Sequence, residues 1–399
     1  MAGWNKKLAN LWKKEQRFTQ WRDALPENII MNYTKTIAVS ELPEGTQKAV
    51  TVAGQDVALF HHGGKITALC GTCPHEGGPL AEGKVEREAD GALRVVCPWH
   101  GWKFDIVTGN MPLELGVRQA VHDVKIQDGI IFVSDTASVP ATLPPKRDDP
   151  LADLRNLACQ TMAASLNVLG ISTTNMGTQL ARYSTSEAAL EQALAHAAAQ
   201  HGAAMRLIKL RDLGFRHCEG YYSHSVTACT WPCSISEQDA ADGMNQVYRD
   251  LVLWADVLLL ATPIRWGNAS SLYYKMAERL NCVQNQIALK NRVLIQKKVA
   301  AFIVTGGQDN IQQVAGQLNT FFTELGFALP PFNFVGWSRG WIAEDMENNV
   351  AEFKKSQSLT QAVKELVNRS VLLSRQIKGI DCAQIKAAKP HVGDSPAQN

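Results

Sequence analysis

Between residues 163 and 380 the apolar residues come in unbroken runs, "LNVLGIS", "ADVLLLATP" and "KVAAFIVTGG", separated by helical patterns such as "SEAALEQALAHAAAQHG" and "LNTFFTELGF". A strand that is apolar on both faces must be covered on both, and a parallel sheet with helices above and below it does this. The expected fold of 163–380 is therefore a doubly wound parallel α/β sheet. Residues 30–135 read differently. The short runs "KAVTVAG", "DVALFH", "KITALC", "LRVVC", "WKFDI", "HDVKI" and "IIFVS" are broken by turn signals such as Gly63-Gly64 and Asp128-Gly129. They predict a small all-β antiparallel sandwich or barrel. The proline-rich, aperiodic "SDTASVPATLPPKRDDP" reads as an interdomain linker over 136–162. With 399 residues, two domains of ordinary size are expected.

The two ends of the chain add little to that plan. Trp4, Leu8, Leu11, Trp12, Phe18, Trp21 and Leu25 recur at helical spacing among lysines and arginines, predicting a basic amphipathic helix within 1–29. Residues 381–399 read as a tail. The hydrophobic content of 45% and formal charge of +2 give no bias toward nucleic acid. No run of eighteen apolar residues and no export signal is seen, so no transmembrane segment and a cytoplasmic location are expected. Nine cysteines, an odd number, suit thiols and metal ligands better than a disulfide framework.

Within the β-rich segment, "CPHEGGPL…CPWHGWKF" supplies Cys73, His75, Cys97 and His100. Two thiols and two imidazoles form one known zinc set, so residue types alone leave zinc and iron-sulfur both open. Here each cluster pairs one cysteine with one histidine in a glycine-laden loop. C-x-H, twenty-one intervening residues and then C-x-x-H is the pattern of a centre in which two histidines replace two cysteines on one iron of a 2Fe-2S cluster. The loops resemble those of Rieske ferredoxins and oxygenase Rieske domains over about residues 30–135. That resemblance implies that Cys73 and Cys97 hold the inner iron and that His75 and His100 hold the outer one. Gly77, Gly78 and Gly101 would let backbone amides approach the sulfides. Gly78 and Trp99 stand where high-potential relatives have cysteines, and Trp102 where they have a hydroxyl, which implies the low-potential, ferredoxin-like branch. Cys70 is taken as structural.

In the α/β segment no G-x-G-x-x-G occurs, and polar loops follow the strands instead, where doubly wound sheets bind ligands. After "LNVLGIS" come Ser172, Thr173, Thr174 and Asn175. Ser184, Thr185 and Ser186 then open a helix, an arrangement that suits a phosphate or a simple N-cap equally. "ATPIRWGNASSLYYKMAERL" and "VTGGQDN" follow the next two strands. Together these loops resemble the FMN-binding loops of flavodoxin-like NAD(P)H-dependent FMN and quinone reductases over about residues 163–375. The resemblance implies FMN, with Ser172, Thr174, Ser184, Thr185 and Ser186 at its phosphate. Thr262, Pro263, Ile264, Arg265, Trp266 and Gly267 would lie along one ring edge, and Thr305, Gly306, Gly307 and Gln308 along the other. Arg265 departs from the aromatic residue often found there. The stretch holding Cys218, Cys229 and Cys233 reads as a structural loop with unpaired thiols over the flavin, and His217 and His224 as surface histidines. No catalytic residue is singled out.

A flavin takes up a hydride as two electrons, whereas a 2Fe-2S cluster passes one at a time. The combination implies a soluble electron-transfer oxidoreductase in which FMN, reduced by NAD(P)H, exchanges electrons with the cluster and with an oxygenase, a quinone or another small molecule. An electron carrier without NAD(P)H turnover, a flavin reductase fed by the cluster and a redox sensor are the alternatives. Reductases of this kind imply a homodimer or homotetramer.

Overall fold

A computed structural model describes residues 32–112, 116–142, 166–177, 183–223, 229, 231–239, 241–290, 293–306, 310–340, 345 and 347–379. The expected N-terminal helix and C-terminal tail lie outside the described residues, as do Gly307, Gln308 and His224. The chain divides into two compact units with the main changeover at 143–144.

The described residues of the first unit form ten strands: β1 (Tyr33–Ala38), β2 (Thr46–Val52), β3 (Gln55–His62), β4 (Lys65–Cys70), β5 (Lys84–Arg87), β6 (Leu93–Val96), β7 (Lys103–Asp105), β8 (Val121–His122), β9 (Val124–Gln127) and β10 (Ile130–Ser134). They form three sheets, β1-β10-β9, β2-β3-β4-β8 and β5-β6-β7, and every pairing is antiparallel. The turn signals work as tight hairpins. Gly63 and Gly64 join β3 to β4, and Asp128 and Gly129 join β9 to β10, each pair with both φ angles positive, which matches the right-handed twist of the strands they join. Leu42, Val52, Val57, Leu59, Ala68, Ile131 and Val133 form a fully buried cluster inside the unit.

The expected start of the linker at 136 needs correcting. Val121 and Val139 exchange backbone hydrogen bonds of 2.9 and 3.2 Å, and Arg118 and Thr142 exchange bonds of 3.0 and 2.9 Å. Residues 138–142 thus belong to the β unit. Prolines at 140, 144 and 145 hide the pairing from a sequence pattern, because proline is read as ending a strand although an edge tolerates it.

The second unit is built on β11 (Asn167–Ser172), β12 (Ala204–Lys209), β13 (Val257–Pro263), β14 (Val299–Gly306) and β15 (Phe334–Ser338). The described helices are α1 (Thr185–His201), α2 (Ser234–Gln238), α3 (Met244–Tyr248), α4 (Ser271–Arg279), α5 (Asn281–Lys290), α6 (Ile311–Leu325), α7 (Asn349–Lys355) and α8 (Gln357–Lys378). The sheet order is β12-β11-β13-β14-β15 and all strands are parallel. Alternate residues of one strand feed opposite cores. Leu258 and Leu260 pack with α3, α4 and α6, while Val257, Leu259 and Ala261 pack with α1 and α8, which is why the run is continuously apolar. The edge strands β12 and β15 are only partly buried and carry no such run. The chain runs from β11 out to β12 and then crosses back to β13 on the other side of β11, so the strand order reverses at β11, the place where open α/β sheets bind ligands beyond the carboxyl ends of their strands. Among the described residues no helix is long and apolar enough to cross a membrane.

Candidate functional sites

In the β unit, the first of the two loops is closed by its own backbone. Cys73 N–H donates to the Gly78 carbonyl at 2.8 Å, Gly77 N–H to the Cys73 carbonyl at 3.0 Å, and Leu80 N–H to the Gly71 carbonyl at 2.8 Å. Gln119 is buried and its Nε2 donates to the carbonyls of Cys70 and Thr72 at 3.0 and 2.7 Å, which ties the loop to the strand before it. The second loop, residues 97–102, is pinned where Val96 pairs with Lys103. Gly77 and Gly101 adopt positive φ. Cys73 and Cys97 are each 2% exposed, His100 is buried and His75 half-buried. The Cys97 sulfur beside it, together with burial, holds the Cys73 thiol far above the ordinary thiol range. Trp102 is buried and Trp99 meets His100 edge-on, with ring centres 6.4 Å apart. Cys70 is partly exposed at the end of β4.

In the α/β unit, a cavity of about 320 Å³ opens at the carboxyl ends of the strands, lined by Met176, Tyr183, Ser184, Thr185, Pro263, Arg265, Thr305, Gly306, Trp337 and Asn349. It unites the three loops the sequence singles out. Ser184 precedes α1 but no side chain caps the helix; its hydroxyl instead pairs with Ser186 Oγ at 3.0 Å. The first amides of a seventeen-residue helix therefore remain available to a ligand. Gly306 makes the wall thin, since a Cβ there would stand 2.6 Å from Ile264 Cβ.

Some expected contacts lie elsewhere. Ser172 is fully buried and donates its hydroxyl to Glu187 Oε2 at 2.6 Å, so that hydroxyl is engaged inside the strand end and does not line the cavity. Thr174 Oγ1 accepts from Met176 N–H at 3.1 Å, and Thr262 Oγ1 from Ser270 N–H at 3.2 Å; both shape their loops. Arg265 and Asn268 exchange backbone bonds of 2.7 and 2.9 Å around a tight turn in which Trp266 and Gly267 both have positive φ. Trp266 is left 91% exposed at its tip. His217 is exposed and away from the cavity.

Glu187, which no sequence motif marks, stands behind the phosphate end of the cavity, next to Ser172. It is completely buried, and burial alone would raise its pKa. Hydrogen bonds from Arg211, Lys209, Ser172 and Tyr183 outweigh this and lower it to about 2. The spacing of Ser184 and Glu187 fits a capping box, the one available sequence signal, but the side chain turns instead to Lys209 at the end of β12 and Arg211 just beyond it. Trp337 and Asn349 also reach the cavity without any motif to announce them.

A family model for the Rieske [2Fe-2S] domain matches residues 32–116, and one for NADPH-dependent FMN reductase matches residues 168–341. The chain joins a Rieske domain to an FMN reductase domain. The Rieske part is 34% identical over 100 residues to the ferredoxin component of the naphthalene 1,2-dioxygenase system of Pseudomonas aeruginosa, covering 24% of this chain and 89% of that protein. It is 28% identical over 109 residues to a human Rieske domain-containing protein, covering 24% of this chain and 69% of the relative. Human apoptosis-inducing factor 3 matches at 38% over 97 residues, but the chain spans only 15% of its length. Among solved structures, RosB with a bound riboflavin-phosphate intermediate is similar over 59% of this chain and 96% of that one, at 16% identity and a TM-score of 0.41.

The protein is thus an electron-transfer oxidoreductase, with a 2Fe-2S cluster, FMN and NAD(P)H as the cofactors of its two domains. The donor sets fit. Two buried thiols side by side can ionise together only against added positive charge, which a cluster supplies. The cavity of the FMN reductase domain falls within the range of small-molecule sites and ends at helix amides suited to a phosphate.

Proposed function

We propose that NAD(P)H reduces FMN in the reductase domain and that the electrons then pass to the Rieske cluster and on to an acceptor. The observation that carries this reading is the convergence of the loops after β11, β13 and β14 on one cavity, in a chain that also bears paired buried thiols. Bound flavin supplies hydride acceptance, and the cluster passes electrons singly.

The protein's residues bind and orient. Cys73 and Cys97 take the inner iron, and His75 and His100 the outer. Ser184 and Thr185 with the opening amides of α1 hold the flavin phosphate, and the buried Ser186 hydroxyl supports Ser184 from behind. Pro263, Ile264 and Arg265 border one side of the ring and Thr305 and Gly306 the other. Arg265 brings a positive charge to the ring edge, where it favours reduced, anionic flavin. Ser172, Thr174 and Thr262 act one step back, through loop geometry. Rieske potentials near −150 mV or above make this direction downhill from a nicotinamide donor.

The similarity to a dioxygenase ferredoxin favours an oxygenase as the acceptor. A small-molecule acceptor is the second reading. A homo-oligomer that brings cluster and flavin within tunnelling distance completes the proposal; light scattering that reports a monomer counts against that part. Anaerobic titration with NADPH and NADH, following flavin and cluster absorbance separately, tests the whole. Sequential bleaching, flavin first, is expected, and no bleaching with either nucleotide sinks it.

A further inference from the structure

The FMN reductase domain holds a second cavity, of about 730 Å³, which shares no lining residue with the flavin cavity among the described residues. Helix α6 starts beside the flavin loops, where Asn310 Nδ2 donates to the Gly267 carbonyl. It leads on to Ala328, whose carbonyl accepts from Ala300 N–H at 3.0 Å near the start of β14. Phe321, Glu324 and Leu325 lie in the last part of α6 and form one wall of the second cavity. Tyr274, Ala277 and Glu278, spaced as one face of α4, form another. Tyr222 joins them from the loop after β12. The second cavity therefore sits toward the amino ends of the strands, whereas the flavin cavity sits at their carboxyl ends.

Its walls are unlike those of packed helices. A helix face turned inward is ordinarily apolar, yet these walls carry Glu278 and Glu324 together with Asn281, Gln284 and Asn285. No lysine or arginine lines the cavity among the described residues. The cations of α4 and of the loop before Tyr222 are spent elsewhere. Lys275 Nζ stands 4.3 Å over the Phe215 ring, Arg279 is buried on Asp242 and Ser236, and Arg216 pairs with Glu219. Glu278 is exposed and has no ion pair among the described residues. Tyr222 and Tyr274 remain 54% and 38% exposed, although Tyr274 Oη is held by donating to Gln317 Oε1 at 2.9 Å. Two ring faces are thus left uncovered beside carboxylates.

We propose that this cavity binds an aliphatic diamine or polyamine. The carboxylates of Glu278 and Glu324 meet its ammonium groups, and the rings of Tyr222, Tyr274 and Phe321 take its methylene chain. The negative face of an aromatic ring attracts an ammonium, and methylenes gain by leaving water for the same rings. The side-chain carbonyl of Asn281, whose amide nitrogen is spent on Cys229 Sγ at 3.4 Å, and the amides of Gln284 and Asn285 supply acceptors for the remaining N–H groups. An anion would meet two carboxylates and no cation. The flavin cavity has the opposite character, with Arg265 in its lining, so the two cavities of one domain sort ligands by charge.

The test is calorimetry on the full-length, cofactor-loaded protein with diaminooctane, charged at both ends, and octanediol, its uncharged counterpart of equal length. The diamine should bind saturably, one per chain, at least roughly tenfold tighter than the diol, and Tyr222→Leu should weaken it by roughly the same factor. Glu278→Gln should weaken the diamine about threefold and leave the diol unchanged, and added salt should weaken the diamine alone. Both substituted residues are exposed, and an unchanged flavin spectrum confirms that each variant is folded. Equal affinity for diamine and diol would overturn the proposal, as would unchanged diamine binding in either variant or no saturable binding at millimolar concentration. If Glu278→Lys moved the sedimentation coefficient to that of a smaller assembly, the walls would belong to a contact with a second copy of the chain, which also overturns the ligand site.

Discussion

Buried charge is handled differently at the two cofactor sites. In the Rieske domain Cys73 and Cys97 lie side by side at 2% exposure, and the neighbouring sulfur and burial hold the Cys73 thiol protonated. In the FMN reductase domain Glu187 is fully buried but ionised, because Arg211, Lys209, Ser172 and Tyr183 all meet it. One site needs its inorganic group to make its ligand charges tolerable; the other is balanced before any ligand arrives. Metal and fold should therefore be coupled in the first domain, and flavin and fold much less so in the second.

The most severe break of that contrast is Cys97→Ser. Iron and the reduced Rieske EPR signal should be lost entirely, with flavin absorbance retained, and iron analysis beside a flavin spectrum reads both. Iron retained in full would mean that the thiol pair is not the anchor. Next in size is Glu187→Gln, which leaves Arg211 and Lys209 without their buried counter-charge and should destabilise the reductase domain by about 3 kcal/mol. The pH dependence has a definite sign. The folded-state pKa is lowered from 4.5 to about 2, so the stabilisation is complete above pH 4.5 and is lost as pH falls toward 2. Acid unfolding followed by far-UV circular dichroism should show this in the unsubstituted protein and lose it in the variant. Gly306→Ala drives a methyl against Ile264, at a cost of about 1–3 kcal/mol by overpacking, with weaker FMN binding in a fluorescence titration. Smallest is Trp266→Ala. With the indole 91% exposed, stability should change by no more than about 0.5 kcal/mol, while KM for the nicotinamide rises; an unchanged KM would remove Trp266 from the site's rim.

The sequence makes the interior elements legible and the margins not. β11, β13 and β14 are written as apolar runs because both faces are covered, whereas β12, as "AMRLIK", sits at an edge with half its residues exposed and carries no period to read. Glycine pairs and Asp-Gly mark hairpins because few residues accept two successive positive φ angles, so those turns are visible in advance. The two cluster loops are legible as a Rieske pattern, which the family match bears out, because the spacing of their Cys and His residues is dictated by chemistry. Glu187 is not, because its partners are Lys209, the last residue of β12, and Arg211 in the turn that follows, and nothing local predicts their meeting. The second cavity is hidden for the same reason: Tyr222, Glu278 and Glu324 lie far apart in the chain and meet only through folding.

The cage around Glu187 also bears on how the reductase domain should respond to ionic strength. Lys209 and Arg211 look like ready-made phosphate ligands, but both are already committed to a carboxylate. Arg265 is the one charged side chain among the described residues lining the cavity. A flavin phosphate would then be met chiefly by fixed amides and the dipole of α1 rather than by mobile surface cations. Such groups are sheltered and carry no diffuse counterion cloud to displace, so salt should weaken FMN retention only slightly.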